Sequence, residues 1–341
     1  MSLAINISTA EGQILASESR QSYRNQKGQA RIGSDSASKV FRLSSRVGAT
    51  TTGPAFLPEK DVLKNISKFI DDFKRDNDLD SLGVKEIAEK IHVFFDEKYP
   101  YREQIKNPPD LKSDLEKQDL KVIEVTSKDK FVEFKFQTPG GQIQIGRWAP
   151  DPLSIIVAGY NKDGSNATYI CLIPGEIEEK RNSKMKGREY GASWTGQTDV
   201  ITRIILGYDP RFMDALAMKG LITSPSQGDQ IAQAVKSLEY VISWGTMTLQ
   251  DAIDLASLMI QSTSAIQRFS DGIAMNPGDI PGVGGPIDVA VITQEKGFVW
   301  ISKKNLKIGD RELDLESIPN LQEYDSIAIN KPKQVKLKDS K

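Results

Sequence analysis

The order of elements predicts an α+β chain in which two antiparallel sheets pack face to face and helices cover each of them. Three observations carry that expectation. A hairpin opens the chain, with residues 2–9 and 13–20 as β-prone runs around a Glu11-Gly12 turn. Two amphipathic helices follow the opening strands. A block of antiparallel strands and further helices then precede two closing strands.

The elements follow in order. Residues 21–38, rich in Ser, Gln, Gly and Arg, read as a polar loop. In residues 39–43, Phe41 and Leu43 flank Arg42, the alternation of a strand. Residues 47–55 are small and end in Gly53-Pro54, as where another element or a ligand approaches the backbone closely. Tight packing under a helix explains the same composition. Val62, Leu63, Ile66, Phe69, Ile70 and Phe73 recur at helical spacing. So do Val84, Ile87, Ala88, Ile91, Phe94 and Phe95, ahead of Tyr99-Pro100. Residues 102–120 are charged, contain Pro108-Pro109 and read as an exposed excursion.

Strands are expected over 121–127, 131–137, 142–148 and 153–158, the last turning at 161–165 to pair with 167–173. The charge run 176–188 reads as a solvated loop. Residues 191–199 read as a Gly-rich turn opening a helix with Val200, Ile201, Ile204 and Ile205. Its backbone amides suit an anion, but it has neither the Lys-Ser/Thr of a P-loop nor a dinucleotide fingerprint. One helix is expected over about 229–244, on Ile231, Val235, Leu238, Val241 and Ile242. The longest runs from Thr248, which forms a capping box with Asp251, to about Phe269. A Gly/Pro-rich loop, 276–286, leads to strands at 287–293 and 298–303.

Composition narrows the function. Apolar content of 38% and charged content of 27% are those of a globular chain with a core. A net charge of −1 gives no electrostatic case for nucleic acid or an anionic membrane. Cys171 is the lone cysteine, which fits a reducing compartment, and it reads as a small core residue. His92 is the lone histidine and sits in a helical pattern, so a Ser-His-Asp triad is disfavoured and a multi-His metal site is excluded. With no transmembrane stretch and no leader pattern, a cytoplasmic location is expected.

Against this background the chain resembles a proteasome β-type subunit of the N-terminal nucleophile (Ntn) hydrolase superfamily, in a longer prokaryotic form. Ser2, Gly12 and Glu18-Ser19-Arg20 fall at the spacing of that family's terminal Thr, Gly turn and Asp-Ser-Arg motif. Lys39-Val40-Phe41 matches its lysine strand, and Gly53 its oxyanion glycine, fourteen residues beyond the lysine. The resemblance implies a four-layer αββα sandwich over 1–325, with insertions near 102–120 and 210–245 and a basic, disordered tail at 326–341. It implies catalytic roles for Ser2, Glu18, Lys39 and Gly53, and substrate contacts for Arg20, Thr51 and Thr52. It also implies a peptide or unfolded-protein substrate, a homo-oligomeric ring and no cofactor, and leaves any ATPase partner open. Two family elements depart. Gln197 or Thr198 stands where a Ser follows a Gly turn. Val283 replaces a Ser before Gly284-Gly285, with Asp279 one residue out of place.

The chemistry implied begins with removal of Met1. The freed α-amine, with an unperturbed pKa of roughly 7.7–8.0, takes the Ser2 proton. A charged Lys39, held by Glu18, lowers the hydroxyl pKa, and the Gly53 N–H stabilises the oxyanion. Three readings stand: a ring-forming peptidase, an amidohydrolase or acyltransferase on a small specific substrate, and a catalytically silent scaffold of the same fold. In the last, Glu18 and Lys39 form an ion pair of little consequence and Gly53 is a turn glycine.

Overall fold

The computed structural model describes residues 2–24, 29–108, 115–116, 119–273, 276–277, 280–308 and 311–313. The chain divides into two units, 1–302 and 303–341. The second contributes, among the described residues, a short hairpin of Leu306–Ile308 with Arg311–Leu313. The expected boundary at 325 and the 326–341 tail lie outside the described residues.

The first unit is α+β, built mainly on antiparallel sheets. Its principal elements are β1 (Leu3–Ser8), β2 (Gln13–Glu18), β3 (Val40–Arg42), β4 (Val47–Thr52), α1 (Ile66–Arg75) and α2 (Val84–Lys98). They continue as β5 (Leu153–Tyr160), β6 (Asn166–Ile173), β7 (Ile177–Asn182), β8 (Gly191–Gly196), α3 (Asp199–Leu206), α4 (Leu249–Phe269), β9 (Ile287–Thr293) and β10 (Gly297–Ser302). One five-stranded sheet runs β8-β1-β2-β9-β10 and the other β7-β6-β5-β4-β3. The opening hairpin is the expected one, with Ile5 opposite Ala16 and a turn closed by Thr9 N–H to the Gly12 carbonyl at 2.8 Å.

Strand periodicity explains which face meets what. Leu3, Ile5, Ile7 and Ile14 cluster with Ile201 of α3 and Ala256 and Met259 of α4. Ile155, Val157 and Cys171 of the other sheet cluster with Phe69 and Ile70 of α1 and Ile87 and Ile91 of α2. A third cluster draws on both sheets: Ala4, Leu15, Val40, Ile156, Ala158 and Ala290. Polar groups lie in that shared layer too, and several are hydrogen-bonded, though the buried Thr50 and Ser154 hydroxyls find no partner among the described residues. Thr168 Oγ1 donates to Asn6 Oδ1 at 2.9 Å, Asn6 Nδ2 to the Ile14 carbonyl at 3.0 Å, and Thr52 Oγ1 to Thr195 Oγ1 at 3.1 Å.

Several expectations need correction. The polar run after the first hairpin is a second hairpin, Gln21–Arg24 with Ala30–Ser34. Val62 and Leu63 belong to a short strand, Val62–Asn65, paired with Phe56–Glu59; both side chains are exposed, so they cannot anchor a helix. α1 begins one residue after Asn65, whose side chain caps it by accepting from Ser67 N–H at 2.9 Å. The charged excursion contains a helix, Tyr101–Lys106, because Tyr101 and Ile105 find the core. The charge run after 176 includes β7, an edge strand whose half-exposed faces tolerate Glu, Lys and Arg.

The Gly-rich stretch is a strand, β8, pairing along all of β1. Its end glycines make room for neighbours: a Cβ on Gly191 would lie 2.5 Å from the Arg181 guanidinium, and one on Gly196 would lie 2.0 Å from the Ser2 carbonyl oxygen. The helix expected over 229–244 is instead Pro225–Lys236, set by a Ser224 cap and Pro225 in its first turn; Val241 is exposed. The strands at Lys121–Ser127, Val132–Gln137 and Ile143–Trp148 form their own three-stranded sheet.

The capping box of α4 is present: Asp251 N–H donates to Thr248 Oγ1 and Thr248 N–H to Asp251 Oδ2, both at 3.1 Å. Thr248→Ala is expected to lower unfolding stability by about 1 kcal/mol, read as a shifted urea midpoint at unchanged m-value.

Candidate active site

Strand register gathers the expected residues. β1 and β2 pair with Ala4 opposite Ser17, which carries Ser2 alongside the Glu18–Arg20 corner. β3 and β4 pair with Val40 opposite Thr50, and Thr51 N–H donates to the Lys39 carbonyl at 3.0 Å, so Lys39 sits beside Thr51. The Thr52–Thr195 hydrogen bond ties this second group to the first sheet. As a result Ser2, Arg20, Lys39, Thr51, Thr52 and Gly53 line one pocket. Its volume of about 40 Å³ holds little beyond a few waters.

Glu18 lies just behind that wall and holds the lysine. Lys39 Nζ donates to Glu18 Oε1 at 2.5 Å and also to the Arg20 carbonyl. The carboxylate accepts three backbone N–H groups as well: Leu3 at 3.2 Å, Arg20 at 2.6 Å and Gly284 at 3.4 Å. Burial pushes the Glu18 carboxyl above its ordinary range, while the Lys39 ammonium and these donors pull it back. The pair is buried, with side-chain exposures of 8% for Lys39 and 0% for Glu18, and is therefore no surface salt bridge of negligible effect.

Gly53 has φ +111°, and a Cβ there would fall 2.2 Å from the Pro152 carbonyl oxygen, so the position demands glycine whatever its chemistry. Arg20 is engaged: its Nε and a terminal nitrogen meet the two Asp35 oxygens at 2.7 and 3.1 Å. This ion pair holds the Asp35 carboxyl below its usual range. Gly284 is explained by the same arginine, because a Cβ there would lie 2.6 Å from the guanidinium carbon. Gly285, at φ +76°, packs against the Asp35 carbonyl.

Gln197 and Thr198 do not line the Ser2 pocket; with Gln267 they line a neighbouring cleft of about 430 Å³. Gln197 nevertheless touches the site, its N–H donating to the Ser2 carbonyl at 2.7 Å. Val283 is fully buried against α4 and its neighbours. Asp279 lies outside the described residues. Sequence reasoning missed Asp35 and Gln267: Asp35 lies in a polar run with no pattern, and Gln267 reads as one more polar position on a long helix.

The two other reactive side chains are occupied elsewhere. His92 Nε2 lies 3.1 and 3.2 Å from the Leu172 and Gly175 carbonyls. Cys171 is buried, its Sγ 3.4 Å from the Ala88 carbonyl, and burial pushes its thiol up to about 12. Among the described residues no His, Cys, Asp and Glu cluster could hold a metal, and no helix is long and apolar enough to cross a membrane. No protein-family model matches the chain, and no curated protein matches it.

Two outcomes are expected. Glu18→Gln leaves the Lys39 charge buried without its counter-ion and should cost about 3–5 kcal/mol. Adding Lys39→Met should recover much of that loss, a coupling that chemical denaturation of the two single variants and the double variant measures. Cys171 should resist a thiol-reactive disulfide at pH 8 in the native protein and react at once after unfolding.

Proposed function

We propose that the chain is an Ntn hydrolase of the proteasome β type, a four-layer αββα sandwich that cleaves peptide bonds through Ser2 once Met1 has been removed. One observation carries this reading: Ser2, Lys39 and Gly53, from three separate strand ends, share one pocket with the Glu18 carboxylate clamped to Lys39.

The reaction follows from those positions. The Ser2 α-amine accepts the Oγ proton as Oγ attacks the scissile carbonyl carbon. The Lys39 ammonium lowers the cost of the developing alkoxide and disfavours premature protonation of the amine. Backbone N–H at Gly53 meets the oxyanion, an interaction typically worth about 3 kcal/mol. The C–N bond then breaks, the departing amine takes the proton back from the α-ammonium, and an ester on Ser2 remains for water to hydrolyse. With Met1 in place the Ser2 nitrogen is an amide with no free lone pair, and the cycle cannot start. A homo-oligomeric ring that confines the pockets belongs to the same proposal.

The narrowness of the pocket, about 40 Å³, favours a second reading: an amidohydrolase or acyltransferase acting on a small, specific substrate.

Intact mass after treatment with a β-lactone tests the proposal. The expected result is a chain starting at Ser2 carrying one adduct, lost in Ser2→Ala and in Lys39→Ala. A chain that retains Met1 and gains no adduct would overturn both readings in favour of a silent scaffold. Native mass then separates them, since a closed ring supports the peptidase.

A further inference from the structure

Resting on that reading, we propose that Gln267 is the positioning residue of the site, fixing Ser2 against Lys39 and Glu18 through Gln197. Its carboxamide is used at both ends. Nε2–H donates to Gln197 Oε1 at 2.6 Å, and Oε1 accepts from Val283 N–H at 2.9 Å. Because a backbone N–H only donates, the Gln267 oxygen must face Val283 and its NH2 must face Gln197, which fixes both amide orientations.

These bonds close a ring around the catalytic groups. The Gln197 N–H donates to the Ser2 carbonyl at 2.7 Å. One residue beyond Val283, Gly284 N–H donates to Glu18 Oε2, while Leu3 N–H donates to Glu18 Oε1. Nucleophile and lysine clamp are thus tied to one carboxamide on a 21-residue helix. Leucine makes neither bond, whereas a glutamate carboxylate keeps the Val283 acceptor and holds Gln197 only if that amide turns over to donate its Nε2–H. Gln267 does not line the Ser2 pocket but the neighbouring cleft, and its link to Ser2 runs through Gln197. In this chain a glutamine on α4 ties down the loop at Val283, where the resembling family places a serine.

The test compares wild type, Gln267→Leu and Gln267→Glu in the full chain by two readouts. The first is the pH profile of Ser2 acylation by a β-lactone, corrected for folded fraction. Gln267→Leu should lower the rate by about tenfold to a hundredfold at every pH, with the inflection unmoved because a neutral amide is lost. Gln267→Glu, which can keep both contacts once the Gln197 amide turns over, should lower it less than Gln267→Leu. The second readout is amide hydrogen exchange, which should quicken at both Gln197 and Val283 in Gln267→Leu and stay slow at Val283 in Gln267→Glu. For Gln267→Leu, acylation within twofold of wild type, or unchanged exchange at Gln197, would overturn the proposal. Should wild type itself take no adduct, the hydrolase reading fails and exchange at Gln197 alone decides the relay. If Gln267→Leu does not fold, Gln197→Leu breaks the same bond from the other side and should give the same loss.

Discussion

The buried Lys39–Glu18 ion pair is the constraint from which the rest of the site follows. Glu18 ends β2 in one sheet, and Lys39 precedes β3 in the other. Bringing either charge out of water alone costs several kcal/mol, so packings that bury one without the other are disfavoured. The backbone donors of Leu3, Arg20 and Gly284 complete the carboxylate's shell, and those of Leu3 and Gly284 tie two further segments to the same point. A one-residue slip of β2 would turn Glu18 to the opposite face and strand Lys39.

Hydrophobic contact between sheets is non-directional, and this layer adds directional bonds to it. Asn6, Thr168, Thr52 and Thr195 each find a partner across or within the layer. Such bonds fix relative register more than they add net stability, since each replaces bonds to water. Gly53 and Gly196 serve the same end from the backbone side: at each, a Cβ would strike a carbonyl oxygen. The first would disturb the pocket wall, the second Ser2 itself.

Much of this was legible in the sequence where the cause is local. The opening hairpin, α2 and the α4 capping box each follow from spacing within a dozen residues. β7 and β8 were hidden because an edge strand full of charge and a glycine-rich strand both mimic loops, and only pairing with β6 and β1 reveals them. Ser2, Glu18, Lys39 and Gly53 are singled out by the family resemblance, and strand pairing brings them to one place in the fold. Gln267 could not be singled out. Its role depends on Gln197, Val283 and Ser2, which lie far from it and from one another in the chain.

The interior place of β1 and β2 in their sheet has a temporal meaning. Leu3 lies opposite Gly196, and β2 in turn pairs with β9, so the strand that follows the candidate nucleophile waits for partners made much later. Pairings of such long sequence separation close large loops and form slowly. The β1–β2 hairpin is therefore fixed in its sheet only when those distant strands dock, and a half-folded chain carries Ser2 without Lys39 beside it. Reactivity at this site, as proposed, arrives only with the completed sheet, which keeps an incomplete chain chemically quiet.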